Sequence, residues 1–246
     1  MTVTLVRPGP GYERIGEGRH SVVFRRPGSP RVVQLFRADC DTLTVAKLNR
    51  EYDYLQAVFA PSLPRLLPRQ RLFTPGPDAP LGHVVIVKEY VEVDQRLSLT
   101  NTAPSHLPVA TWRQLVTFLR LVRHLLLDTT PHAALGTDAS LIPDIIDPPL
   151  QNLVVDTNGN LRLLDTNRLI STAGLRRRHH AGQTVRLDRD VIHALLLRRM
   201  MFLESRWRGR TRAELARDPV YTRYLTREDI TALITASGAA GEPLSP

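Results

Sequence analysis

Cysteine is almost absent. Cys40 stands alone, which excludes an internal disulfide framework and a cysteine-built zinc site. Lysine is nearly as rare: Lys47 and Lys88 are the only two among 33 basic residues, and arginine carries the rest. No apolar run approaches the ~20 residues that cross a bilayer. The opening residues, MTVTLVRPGPGYERIG, lack the charged-then-apolar pattern of a secretory signal. No segment repeats. The basic stretches are not interleaved with aromatics, which weighs against a base-stacking nucleic-acid platform. These absences lead us to expect a cytoplasmic protein with no membrane span and no nucleic-acid partner.

What is present is a chain of 246 residues, 42% apolar, long enough for a sizeable core. The net charge of +9 draws anionic partners by long-range attraction: nucleotides, phosphorylated molecules or acidic peptides. An arginine-for-lysine bias is also what a GC-rich coding sequence gives, so the charge alone names no function.

The first part of the chain holds short β-branched runs, SVVF, RVVQLF and HVVIVKEYV, bounded by glycine and proline. Between them, residues 42–59 have helical spacing, with Leu43, Ala46, Leu48, Tyr52, Leu55 and Val58 near one face. The proline-rich stretch 61–80 predicts an irregular connection. Beyond residues 91–95 the pattern turns helical. Residues 110–129 form an amphipathic helix with Leu115, Phe118, Leu119, Val122, Leu125 and Leu126 on its apolar face. A second apolar helix starts at Asp190, and a third follows Thr226, an N-cap with an acidic residue two positions on. The last ten residues are expected to fray.

The segment IDPPLQNLVVDTNGNLRLLDTN, residues 146–167, is the most informative. NLVV and LRLL flank DTNGN, and Asn158-Gly159 signals a tight hairpin turn. Asp147 and Asn152 precede the first strand, and Asp165 follows the second. A hairpin returns its ends to one place, so these three side chains are expected to converge. An amide oxygen beside a carboxylate suits Mg²⁺, and a further carboxylate can accept a proton from an attacking hydroxyl. Taken alone, the same residues also fit a turn cap and a strand end. Upstream, Gly16-Glu17-Gly18 lies between two strands, where glycines let backbone N–H groups approach phosphates.

In this order, strand, glycine loop, strand, strand, helix and D-x-x-x-x-N hairpin, the sequence resembles the protein-kinase-like superfamily over roughly residues 11–200. It resembles a small, divergent, bacterial-type member. Its D-P-x-x-x-N loop is closer to antibiotic and small-molecule phosphotransferases than to eukaryotic protein kinases. The resemblance implies an α+β, two-lobed fold: a small antiparallel-sheet N-lobe over residues 1–92 and a helical C-lobe over 93–246. It implies ATP, or another nucleoside triphosphate, and Mg²⁺ as cofactors. IGEGRHSVVF is similar to the glycine-rich loop, with Gly16 and Gly18 over the phosphates and Ser21 in place of the third glycine. Glu51 is similar to the helix glutamate, and Glu89 to Val91 to the hinge facing adenine. Asp147 would be the base, Asn152 and Asp165 the metal ligands, and Asp190 the residue that ties down the catalytic loop.

Two departures stand out. Ile145 replaces the catalytic-loop histidine, and Gln34 stands where the family has its phosphate-gripping lysine. Gln34 can donate a hydrogen bond but no charge. Lys88 falls at the gatekeeper position. It either turns inward, pairs with Glu51 and supplies the missing ammonium, or faces solvent by strand alternation. Arg25 and Arg26 are further substitutes. Arg176, Arg177 and Arg178 lie where substrate would dock, either attracting an anionic acceptor or forming a solvated loop. His179 and His180 lack a third ligand at useful spacing, so zinc is not expected.

The resemblance thus implies an ATP- and Mg²⁺-dependent phosphotransferase acting on a hydroxyl of a small molecule or peptide. The alternatives are a pseudokinase that serves a protein partner, and a kinase-fold enzyme with another nucleotide-dependent reaction.

Overall fold

The computed structural model describes residues 9–17, 21–36, 45–73, 84–127, 141–143, 152–166, 169–171 and 192–235. The β-branched runs pair into one five-stranded antiparallel sheet in the order β1-β2-β3-β5-β4. Its strands are β1 (Glu13–Glu17), β2 (Ser21–Arg25), β3 (Arg31–Phe36), β4 (Gln70–Phe73) and β5 (Val85–Glu89). Strand β4 falls inside the stretch expected to be irregular. Its QRLF alternates half-buried and exposed positions, as an edge strand does, and the flanking prolines mask it in the sequence.

Alternation along β3 and β5 sends Val32, Gln34, Phe36, Ile86 and Lys88 to one buried face. Helix α1 (Val45–Phe59) packs on it, and Phe36, Leu48, Val84 and Ile86 form a small apolar cluster there. The buried positions of α1 are Leu48, Glu51, Tyr54, Leu55 and Phe59. This face is rotated from the expected one: Ala46 is exposed, and Tyr52 and Val58 are only half buried. Large aromatics displaced the small alanine because more apolar area leaves water that way.

Helix α2 (Val109–Leu127) buries all six apolar residues expected of it. Phe118 stacks on Phe59 of α1, with ring centroids 5.4 Å apart. Around α2 lie β6 (Leu141–Pro143), paired with β9 (Leu169–Ser171), and the hairpin of β7 (Leu153–Val155) and β8 (Leu161–Leu163). Helices α3 (Ile192–Arg208), α4 (Arg212–Ala216), α5 (Pro219–Thr222) and α6 (Arg227–Thr235) complete the described chain. Their apolar faces join α2 and the hairpin in one large core. Gly209, at φ 63°, lies just past the end of α3, where the left-handed conformation favours glycine. Thr226 caps α6, but its partner is Asp229, three residues on, rather than Glu228. Among the described residues, no helix is long and apolar enough to cross a membrane.

Candidate active site

The hairpin forms as its sequence dictates. Gly159 sits at φ 76°, a left-handed turn position where a side chain would be strained. Asp156 accepts the backbone N–H groups of Asn158 and Asn160 and fixes the turn. Leu153, Val155, Leu161 and Leu163 are buried, so the hairpin belongs to the core rather than to the surface. Three neighbours hold it in place. The N–H of Leu163 donates to Leu66, the N–H of Leu161 to the Gln114 side chain, and the Thr111 hydroxyl to Gly159.

This docking brings the hairpin's ends under the sheet. Leu164 N–H donates to the Asn152 carbonyl at 2.7 Å, so Asn152 and Asp165 emerge together. Both line a cavity of about 330 Å³. The sheet supplies the other walls: Ile15, Gly16 and Glu17 of β1, Ser21 and Val23 of β2, Val32 and Gln34 of β3. Lys88, Glu89, Tyr90 and Val91 close the side. A bulge between Arg14 and Gly16 turns Ile15 towards the cavity, where it joins Val23, Val32 and Val91 in an apolar slot. Packing does not demand a glycine at 16, because an added Cβ would meet only Val23, at an ordinary 3.7 Å. Its open face lies over the cavity.

Lys88 faces inward; solvent-facing alternation is not what the structure has. The residue is 7% exposed, and its ammonium donates to the Leu164 carbonyl at 3.3 Å. Burial pulls it below the ordinary lysine value, while the nearby Asp165 charge works the other way. The expected pairing with Glu51 is not found. Lys88 sits opposite Val32, one inward-facing position away from Gln34, and so reaches the floor of the cavity instead of α1. The ion partner of Glu51 is Lys47, at 3.8 Å on the same helix, and its Oε2 is buried without a hydrogen bond. Burial raises the Glu51 carboxyl above its ordinary value, offset in part by Lys47 and Arg50.

Gln34 donates through Nε2 to the Ser21 hydroxyl at 2.8 Å, joining two expected site residues along the cavity wall. The Glu89 carboxylate is tied at the side of the cavity: it accepts from Arg69 N–H and from Arg162. Burial alone would raise that carboxyl, but these bonds hold it below its ordinary value. Val91 contributes to the slot wall. Arg25 stacks over the ring of Tyr90, which is itself in the cavity wall, and Arg26 over Tyr12; neither arginine lines the cavity. Gly18, Asp147, Ile145, Arg176, Arg177, Arg178 and Asp190 lie outside the described residues.

The donor set suits Mg²⁺. One amide oxygen and one carboxylate share the cavity floor, and Mg²⁺ typically takes one or two protein ligands and completes its shell with phosphate and water. Among the described residues, no group of three or more His, Cys, Asp or Glu side chains could hold a metal on its own. The residue that sequence reasoning missed is Arg162. It is buried on β8 and bridges Glu89 and Asp156; only its odd place in LRLL could have signalled it.

No family model matches the chain, and no curated protein does. Among solved structures it is similar to the kinase PK-1 of the Cydia pomonella granulovirus, at 12% sequence identity and a TM-score of 0.35. That match covers 65% of this chain and 53% of the other, so the chain spans about half the length of that structure.

Proposed function

We propose that the protein is a kinase-like phosphotransferase that uses a nucleoside triphosphate, with the nucleotide in the cavity between the sheet and the hairpin. The arrangement is two-lobed in this reading, with residues 1–92 above the nucleotide and 93–246 below. One observation carries it: the buried Lys88 ammonium, beside Asp165 and above Asn152, faces the cavity from a strand that has no need of a charge. Burial of that lysine is offset only in part by the Asp165 charge, and an anionic ligand would complete the balance.

The ammonium takes the place of the charge that Gln34 lacks and grips the phosphates. Ile15, Val23, Val32 and Val91 sandwich a flat base. The open face of Gly16 lets the β1 backbone approach the phosphate chain. Asn152 and Asp165 would hold Mg²⁺, which neutralises charge on the phosphate oxygens when bound. An acceptor hydroxyl attacks the terminal phosphorus, the bond to the leaving diphosphate breaks, and Asp147 takes the hydroxyl proton. The acceptor is a small molecule or peptide, and Arg176, Arg177 and Arg178 would attract it if it is anionic.

Calorimetric titration of ATP and GTP, with and without Mg²⁺, tests this. Binding is expected to require the metal and to vanish in Asp165→Ala. Absence of binding by the unmodified chain under every metal condition would remove the reading.

A pseudokinase is the second reading, favoured by the uncharged Gln34, which donates to the Ser21 hydroxyl. It predicts retained fold and partner binding without phosphoryl transfer.

A further inference from the structure

The strand that carries Lys88 and the strand that leads to Asp165 are tied together beside the cavity by one buried guanidinium. Arg162 donates through Nη2 to Glu89 Oε1 at 2.9 Å and through Nη1 to Asp156 Oδ2 at 3.2 Å. Each partner is fixed in turn. Glu89 is the last residue of β5, directly after Lys88, and its other oxygen accepts from Arg69 N–H at 3.1 Å. Asp156 is locked by the backbone and side chain of Asn160 and by Asn158 N–H. The backbone runs alongside too: Asp94 N–H donates to Val155, and Thr157 N–H to Glu92.

We propose that Arg162 is a positioning residue of this site, and that its bridge from Glu89 to Asp156 sets the approach of Lys88 to Asp165. The inference rests on the reading of the cavity as a nucleoside triphosphate site, because that reading gives the approach its purpose. The geometry is direct. Lys88 precedes Glu89, and Asp165 follows Arg162 by three residues. A slip of β5 over β8 therefore moves the ammonium and the carboxylate apart by the same amount. A second tie lies on the far side, where the Thr166 hydroxyl donates to Gln70 Oε1 of β4. Charge burial for its own sake does not explain Arg162, since a buried ion pair is often no better for stability than an apolar side chain of similar size.

The test uses the full chain with lysine-selective ¹³C labelling, which gives one signal each for Lys47 and Lys88. Nuclear Overhauser contacts from the Lys88 Cε protons to Leu164 and Asp165 are expected in the unmodified protein. They should weaken several-fold in Arg162→Met and in Glu89→Gln. The second variant alters a partly exposed carboxylate and spares the core. Mg²⁺–ATP affinity should fall about tenfold in each, as for a lost hydrogen bond to a charged group. The double variant should be no worse than either single one. The urea midpoint of Glu89→Gln, whose carboxylate is partly exposed, should stay near that of the unmodified protein, which a purely structural role for the bridge would not allow. Contacts that persist in both variants, or affinity unchanged while the contacts vanish, would overturn the proposal. If the unmodified chain binds no nucleotide, the phosphotransferase reading falls, and the contact measurements still decide the role of Arg162.

Discussion

Around Arg123, helices α2, α3 and α5 gather three partly exposed guanidiniums onto two buried carboxylates; around Lys88, the sheet and the hairpin enclose one ammonium beside one carboxylate and an open cavity. In the helical cluster each buried carboxylate is held by at least two arginines. Arg123 Nη1 lies 3.1 Å from Glu204 and 2.9 Å from Asp218, and Arg210 binds the same two carboxylates. The Glu204 and Asp218 side chains are 0% and 2% exposed. Burial alone would raise the Asp218 carboxyl, but the two arginines hold it below its ordinary value. The one polar atom left over is the Tyr221 hydroxyl, buried without a partner among these charges. At Lys88 the balance is different. Among the described residues a single carbonyl accepts its hydrogen bond, and the nearby Asp165 charge only partly offsets its burial. Matched burial welds helices together. Under-matched burial next to a cavity is what a ligand can complete.

The sharpest way to break this comparison is to remove one partner from each side. Asp218→Ala leaves the half-buried Arg123 and Arg210 with Glu204 alone to share and also removes the cap of α5, where Asp218 accepts from Val220 N–H. A loss of about 3–5 kcal/mol in urea denaturation is expected. At temperatures where the variant is folded, ATP affinity should change by less than about twofold, because distant sites act independently. A loss below about 1 kcal/mol would show that the helical cluster is no better matched than the cleft.

Lys88→Met should have the opposite sign on stability. It replaces a sparsely partnered buried ammonium with an apolar chain of similar length and is expected to raise stability by about 1 kcal/mol. The same change should weaken Mg²⁺–ATP binding about 10–100-fold, the worth of a charged hydrogen bond. Destabilisation with unchanged affinity would place Lys88 with the structural charges.

Much of this division was legible in the sequence. The alternation of HVVIVKEYV gave the strand, and the Asn-Gly turn gave the hairpin that gathers Asn152 and Asp165. The period of α2 gave its buried face without error. What was not legible depends on register and on contacts distant in sequence. Alternation permits two faces for Lys88, and only the pairing of Val32 with Lys88 places it inward and away from Glu51. Strand β4 hid among prolines because an edge strand needs only a few half-buried residues. The bridge of Arg162 to Glu89 spans 73 positions, and no local pattern announces it.

The smallest expected effect belongs to Glu51, and it sharpens the comparison by adding pH. Burial raises its folded-state pKa above the ordinary 4.5, so the folded chain holds a proton there more tightly than the unfolded chain. The resulting contribution is fully favourable below pH 4.5 and is lost as pH rises through the folded-state value. Above that value the chain carries the full cost of an under-partnered carboxylate. Glu51→Gln keeps the shape and removes the charge. At neutral pH it should raise stability by no more than about 1 kcal/mol. Its difference from the unmodified protein should close as pH falls towards 4.5. Urea midpoints measured at several pH values between 4 and 8 check this (about half-unit steps suffice to see a single titration). A difference that does not close would mean that a partner holds the carboxylate charged in the folded chain, as the arginines hold the carboxylates around Arg123.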